Sequence, residues 1–375
     1  MQERKKAEAV NKTIYFPGLN GLRAISAIGV VISHITLKLQ DFNLDPHIFG
    51  SFQDGSPKGL FLAGYGVTIF FVLSGFLITY LLQAEKDIQA IDVRKFYLRR
   101  ILRIWPLYYI YLFISIIAII VYRLELNGES LFLYIFYAAN IPFLTENTLP
   151  FLLHYWSLGS EEQFYLFWPW INKILKQPAV PIIMMIVSLL GIKIALHFLH
   201  PTSIIKDVID VTKFHCMMIG ALGAVLFKEN NRIFLNLVDN KLSQLICWAL
   251  IFLVAVNKYH FASVIDTEII AVAALFLIIG QINIQNRIIN LETKIFNFLG
   301  KISYGIYVVH PLLIFIFSKA LSGWEANPLC KYSIVYFSIL SATLVISYFS
   351  YKYIESYFLC LKKKFMVVNT ARAQA

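Results

Sequence analysis

Arg23 and His34 stand eleven residues apart in a stretch, 22–37, that is otherwise almost wholly apolar. Eleven residues make about three helical turns, so both side chains leave one face, roughly 16 Å apart along the axis. An ionisable group inside a membrane helix is costly and normally faces the protein interior or a wet cavity. A neutral imidazole held there can take a proton from a hydroxyl, help worth about 10²–10⁴-fold to an unactivated nucleophile. It can also carry an acyl group itself as a covalent intermediate, and spacing does not separate the two roles. The competing structural roles are a histidine bridging helices by hydrogen bonds and an arginine anchoring one membrane face.

Arg100 and Arg103 form a second constellation. At i and i+3 they share one helix face. Guanidinium forks suit phosphate oxygens, although the same residues also read as topogenic charges in a basic loop. Glu161 is a lone charge in an aromatic stretch with Trp156, Tyr165 and Trp168, expected near the outer membrane surface. It either orients an imidazole or binds an acceptor, or it is an interfacial carboxylate in an aromatic belt. Gly64, Gly66, Ser74 and Gly75 point to close helix packing. His154, His197, His200, His215 and His260 have no metal-ligand spacing, no cysteine clusters with them, and no metal site is expected. Nucleophile-elbow and phosphate-loop motifs are absent.

The elements that must position these residues follow from composition. The 375-residue chain is 58% hydrophobic and 15% charged, with a mean hydropathy of +0.67, outside the range of soluble domains. Apolar runs fall near 22–37, 61–82, 104–122, 179–199, 214–227, 242–256, 268–282, 302–320 and 334–353. Residues 131–175 are less regular, broken by Pro142, Pro150 and Pro169. The expected fold is an all-α polytopic transmembrane bundle of about ten spans over 13–358. A polar tail precedes it at 1–12 and a basic tail follows at 359–375. The first span reads as a retained signal anchor, because the preceding residues are too polar for a cleavable signal.

Lys and Arg concentrate in cytoplasmic loops. If 131–175 crosses once and the amino terminus is inside, cytoplasmic segments hold 22 Lys and Arg against eight outside. If that region crossed twice, the bias would mostly vanish, so both termini are expected in the cytoplasm. The net charge of +11 is then topological and not a nucleic-acid footprint. A basic inner face would still attract anionic lipid or a phosphorylated cofactor. Four cysteines, of which only Cys330 falls in an outer loop, support no disulfide framework.

Five blocks in order carry a family resemblance. They are Gly18-Leu19-Asn20-Gly21-Leu22-Arg23-Ala24-Ile25 with His34, and Gly64 to Ile78 around Phe70-Phe71-Val72-Leu73-Ser74-Gly75. Arg99-Arg100-Ile101-Leu102-Arg103-Ile104-Trp105-Pro106 and Trp156-Ser157-Leu158-Gly159-Ser160-Glu161-Glu162-Gln163 follow. The last is Ser303-Tyr304-Gly305-Ile306-Tyr307 with His310 and Pro311. Together they resemble the acyltransferase family 3 membrane proteins, from Gly18 to Pro311. Two departures are Asn20, where the family often has Asp, and Thr68, where it has Asp or Pro.

The resemblance implies an integral membrane O-acyltransferase of the bacterial cell membrane. Acyl would move from cytoplasmic acyl-CoA, usually acetyl-CoA acting as co-substrate with no bound cofactor, to a hydroxyl of an extracytoplasmic glycan. His34, Arg23 and Glu161 are the expected catalytic residues, and Arg100 and Arg103 the donor site. Trp156, Ser157, Tyr304 and His310 would line the acceptor cavity. With no soluble domain, the chain is expected to act alone or with a separate partner; its oligomeric state is not encoded. Rival readings are a lipid or small-metabolite acceptor and, in another class, a proton-coupled transporter, since buried Arg and His mark those too.

Overall fold

The computed structural model describes residues 13–48, 50–52, 55–58, 60–325 and 327–368. The expected 1–12 tail and the last seven residues lie outside them. Among the described residues there are helices and no strand. In chain order the helices are α1 (Leu19–Leu37), α2 (Leu60–Ile88), α3 (Val93–Val121), α4 (Gly128–Ile135) and α5 (Asn140–Leu144). Next come α6 (Tyr155–Ile174), α7 (Ala179–Leu199), α8 (Ile204–Thr212), α9 (Phe214–Lys228) and α10 (Arg232–Val238). The rest are α11 (Lys241–Ala255), α12 (Asp266–Ile282), α13 (Lys294–Leu321), α14 (Pro328–Ser350) and α15 (Ser356–Lys362).

Six helical runs are long and apolar enough to cross a membrane, formed by α1, α2, α3, α7, α13 and the segment Pro328–Phe365. The pairs α8–α9 and α10–α11 bend by 43° and 53° and make eight if each pair is one span. Two expected spans fall short for physical reasons. α6 carries Glu161, Glu162 and Lys173 along its length, and α12 has 17 residues with Asp266 and Glu268 in its first turn. A span of about 20 apolar residues fits the bilayer core. Phe113, Phe198 and Phe337 stand on outward faces that suit lipid, and the chain is a multi-pass membrane protein.

The core of the bundle is α1, which packs between α2 and α13, while α2 packs on α9. The α2–α9 contact depends on two facing glycines. A Cβ at Gly75 would lie 1.8 Å from the Met217 carbonyl oxygen, and one at Gly220 would lie 2.1 Å from that of Val72. Backbones meet this closely only where a side chain is missing. Gly66 likewise faces the Ser26 carbonyl of α1 at 3.0 Å, whereas Gly64 faces open space and Ser74 turns to a carboxylate.

Proline shapes the site directly. α13 runs unbroken through Pro311, yet the ring prevents a regular ladder around it. The Leu312 N–H bonds the Tyr111 hydroxyl at 3.1 Å, and the Val308 carbonyl accepts His154 Nε2 at 3.1 Å. Pro311 therefore frees backbone groups that other helices use to dock on α13. At the other end of the chain, α14 passes through a π turn, Tyr351–Glu355, into α15 and a 3₁₀ turn, Lys363–Phe365. The expected tail boundary at 358 falls inside α15. This segment packs on α3, and Arg99 Nη1 donates to the Phe365 carbonyl at 2.9 Å.

Candidate active site

Two cavities meet at three arginines. The larger, about 430 Å³, is lined by Arg23, Arg100, Arg103, Lys301, Lys362 and Lys363 together with apolar and tyrosine side chains. Among the described residues no carboxylate lines it. The smaller, about 120 Å³, shares Arg23, Arg100 and Arg103 and adds Ser74, Ser157, Glu161, Tyr165, Tyr304 and Tyr307. The arginines thus form a neck between a basic vestibule and a polar chamber.

Each neck residue is held differently. Arg23 Nη1 donates to Asn20 Oδ1 at 3.4 Å, and Asn20 Nδ2 donates to Asn297 Oδ1 at 3.1 Å. Asn297 in turn donates to Glu292 at 2.6 Å, so that carboxylate reaches Arg23 through two amides. This chain of partners accounts for Asn at position 20. Arg100 lies over the rings of Phe96 and Tyr165, 5.6 and 5.4 Å from their centroids. Its buried Nε has no hydrogen-bond partner among the described residues. No neck arginine has a carboxylate within ion-pair distance among the described residues, and stacking on rings substitutes only in part. Their neighbour Arg99 is spent on structure: Nη2 pairs with Glu85, itself 2% exposed, at 2.9 Å.

In the chamber, Glu161 accepts hydrogen bonds from the hydroxyls of Ser74 and Tyr165. Among the described residues it meets no imidazole, and it lines the chamber beside the neck arginines. Tyr304 donates to the Ile104 carbonyl at 2.7 Å. Tyr307 and Ser157 stand 2.6 Å apart, and both hydroxyls lie 3.0 Å from the His154 carbonyl.

Beyond Tyr307 three imidazoles gather. His34 Nδ1 lies 2.8 Å from His310 Nε2, and the His154 ring lies 5.4 Å from the His310 ring. His310 Nδ1 is 3.1 Å from the Ile306 carbonyl. A carbonyl only accepts, so Nδ1 of His310 carries a proton and, in the neutral ring, its Nε2 carries the lone pair. His34 Nδ1–H must then be the donor, which leaves the lone pair of His34 on Nε2. A histidine with a free Nε2 and an anchored Nδ1–H has the arrangement of a general base.

The neck joins three of the sequence-predicted residues, Arg23, Arg100 and Arg103, and the chamber holds Glu161, Ser157 and Tyr304. His310 lies against His34. Arg23 and His34 share α1 but no cavity: His34 lines neither, and the ring of Tyr307, which lines the chamber, lies 6.1 Å from that of His310. Trp156 also lines neither; it packs on Phe71 and Phe143, with Lys213 6.0 Å from its ring centre.

Sequence reasoning missed Lys301, Lys362 and Lys363, which it counted only as topogenic charges, and the position of His154 beside His310. Ser74 and Tyr165, read as packing and belt residues, instead hold Glu161. Elsewhere, His215 meets Glu268 at 3.0 Å, and Glu268 also pairs with Lys193 at 2.8 Å. Among the described residues no group of His, Cys, Asp and Glu could hold a metal ion.

With this geometry stands a family match: residues 16–352 correspond to the acyltransferase domain family, and the chain belongs to that family. It is similar to the O-acetyltransferase OatA of Staphylococcus aureus (strain NCTC 8325 / PS 47), 28% identical over 378 residues, covering 94% of this chain and 58% of OatA. It is also similar to SACOL0978 of Staphylococcus aureus (strain COL), provisionally named an O-acetyltransferase. That match is 27% identical over 388 residues, covering 96% of this chain and 59% of the relative. The chain therefore spans less than two thirds of the length of these curated relatives. No solved structure matches it.

Proposed function

We propose that the protein is a membrane O-acetyltransferase, moving acetyl from cytoplasmic acetyl-CoA to a hydroxyl of an extracytoplasmic cell-envelope glycan. The observation that carries the donor half is the vestibule: among the described residues six cations and no carboxylate, with a three-arginine neck leading inward. CoA bears a diphosphate and a ribose phosphate, which charge-assisted donors of this kind hold well. The names of the OatA relatives support acetyl as the group transferred. The Lys and Arg asymmetry supports ten crossings and cytoplasmic termini. On that topology the vestibule opens to the cytoplasm, in the bacterial cell membrane.

The chemistry follows from the imidazole pair. The diphosphate rests at the neck, and the thioester advances through the chamber past Tyr307. The acceptor hydroxyl gives its proton to His34 Nε2 as its oxygen bonds the thioester carbonyl carbon. The C–S bond then breaks, and the proton passes to the departing CoA thiolate. His310 holds the imidazole in this tautomer, and Glu161 offsets part of the arginine charge beside the path. The test is the alkali-labile acetate on envelope glycans of cells with and without the gene. Loss of acetate on deletion is expected, and an unchanged acetate content would overturn the glycan acceptor.

A further inference from the structure

The vestibule is wider than the neck requires. Lys301, Lys362 and Lys363 line it and do not reach the chamber, while Arg23, Arg100 and Arg103 line both. Among the described residues none of the three lysines has an ion-pair or hydrogen-bond partner. Lys362 and Lys363 are also not on a free tail. The π turn Tyr351–Glu355 resets the last helix, α15 packs on α3, and Arg99 ties the Phe365 carbonyl to the Glu85 ion pair. Lys362 and Lys363 thus line a cavity that no carboxylate lines among the described residues, so its positive charge is left for an anion to offset. Lys364, next in sequence and equal in topogenic value, does not line the vestibule.

We infer that Lys362 and Lys363 bind the ribose 3′-phosphate of the donor and make the enzyme select CoA over its 3′-dephospho form. This rests on the acyl-CoA reading above. If the thioester lies in the chamber and the diphosphate occupies the neck arginines, the adenosine end remains in the vestibule, where Lys301, Lys362 and Lys363 are the cations left for it. The compact ammonium group suits a terminal phosphate that presents no single fork geometry, whereas the arginines suit the diphosphate. A lipid phosphate has the same chemistry, so the experiment separates the two sources.

Purified protein in zwitterionic nanodiscs is titrated with acetyl-CoA and with acetyl-3′-dephospho-CoA. The wild type should bind acetyl-CoA about tenfold to a hundredfold more tightly, the range of hydrogen bonds between charged groups. In the Lys362→Gln/Lys363→Gln variant that ratio should fall to about one, by loss of acetyl-CoA affinity alone. Lys364→Gln should keep the wild-type ratio. A ratio that survives in the double variant, as for lysines that serve lipid headgroups, overturns the inference. So does an equal loss for both ligands, or a wild type that does not discriminate. Should neither ligand bind the wild type, the acyl-CoA reading itself falls, a failure plainly different from the others.

Discussion

His310 and His34, 276 residues apart in the chain, share a 2.8 Å hydrogen bond whose direction is set by the Ile306 carbonyl. The carbonyl takes the proton of His310 Nδ1, so His310 can only accept from His34, and the base is left on Nε2 of His34. A helix–helix contact deep in the bundle thus selects a tautomer.

The first expectation concerns that selection. His310→Phe keeps a planar ring on α13 but removes the acceptor. Turnover should fall about 10²-fold, within the span of a mispositioned general base, with acetyl-CoA affinity unchanged. Equal losses in turnover and in donor binding, measured by steady-state kinetics and calorimetry, would show that His310 only supports the fold.

Adjacent arginines on α3 should separate cleanly. Arg100→Gln and Arg103→Gln each remove a neck cation with no carboxylate partner, so donor affinity should drop about tenfold while the melting temperature holds. Arg99→Gln should do the reverse. It strands Glu85, 2% exposed, and breaking such a buried pair costs about 3–5 kcal/mol. Thermal unfolding in detergent and acetyl-CoA titration on the three variants decide it. A destabilised Arg100→Gln with normal binding would reassign that residue to structure.

Topology can be read from two native thiols. Cys330 opens α14 and Cys360 lies in α15, both exposed. On ten crossings, a membrane-impermeant maleimide should label Cys330 in intact cells and reach Cys360 only after permeabilisation. Labelling of Cys360 from outside would reverse the vestibule and remove cytoplasmic acetyl-CoA as its ligand.

How much of this was legible in the sequence divides along contact range. The i, i+3 spacing of Arg100 and Arg103 is local, and both stand at the neck. Gly75 packs backbone to backbone as a small residue in an apolar helix suggests, though Gly64, earlier in the same helix, does not. The all-helical fold followed from apolar runs alone. Lys362 and Lys363 were hidden because a charge count treats every basic residue near a membrane face alike. The fold of 351–365 brings these two to the cavity, whereas Lys364 beside them does not line it. The bond between His34 and His310 joins distant segments, and no periodicity encodes it. Nor does spacing along α1 disclose that His34 lies outside the chamber Arg23 lines.

The central claim is that the His34 imidazole is the base for acyl transfer, and His34→Gln tests it most directly. Glutamine retains a hydrogen-bonding group for His310 but cannot accept and return a proton as imidazole does. The measurement is transfer of radiolabelled acetyl from acetyl-CoA to envelope glycan, alongside acetyl-CoA affinity of the same preparation. His34→Gln is expected to be folded, to bind acetyl-CoA as the wild type does, and to transfer at least about 10²-fold more slowly. Near-wild-type transfer by a folded His34→Gln protein would contradict the assignment.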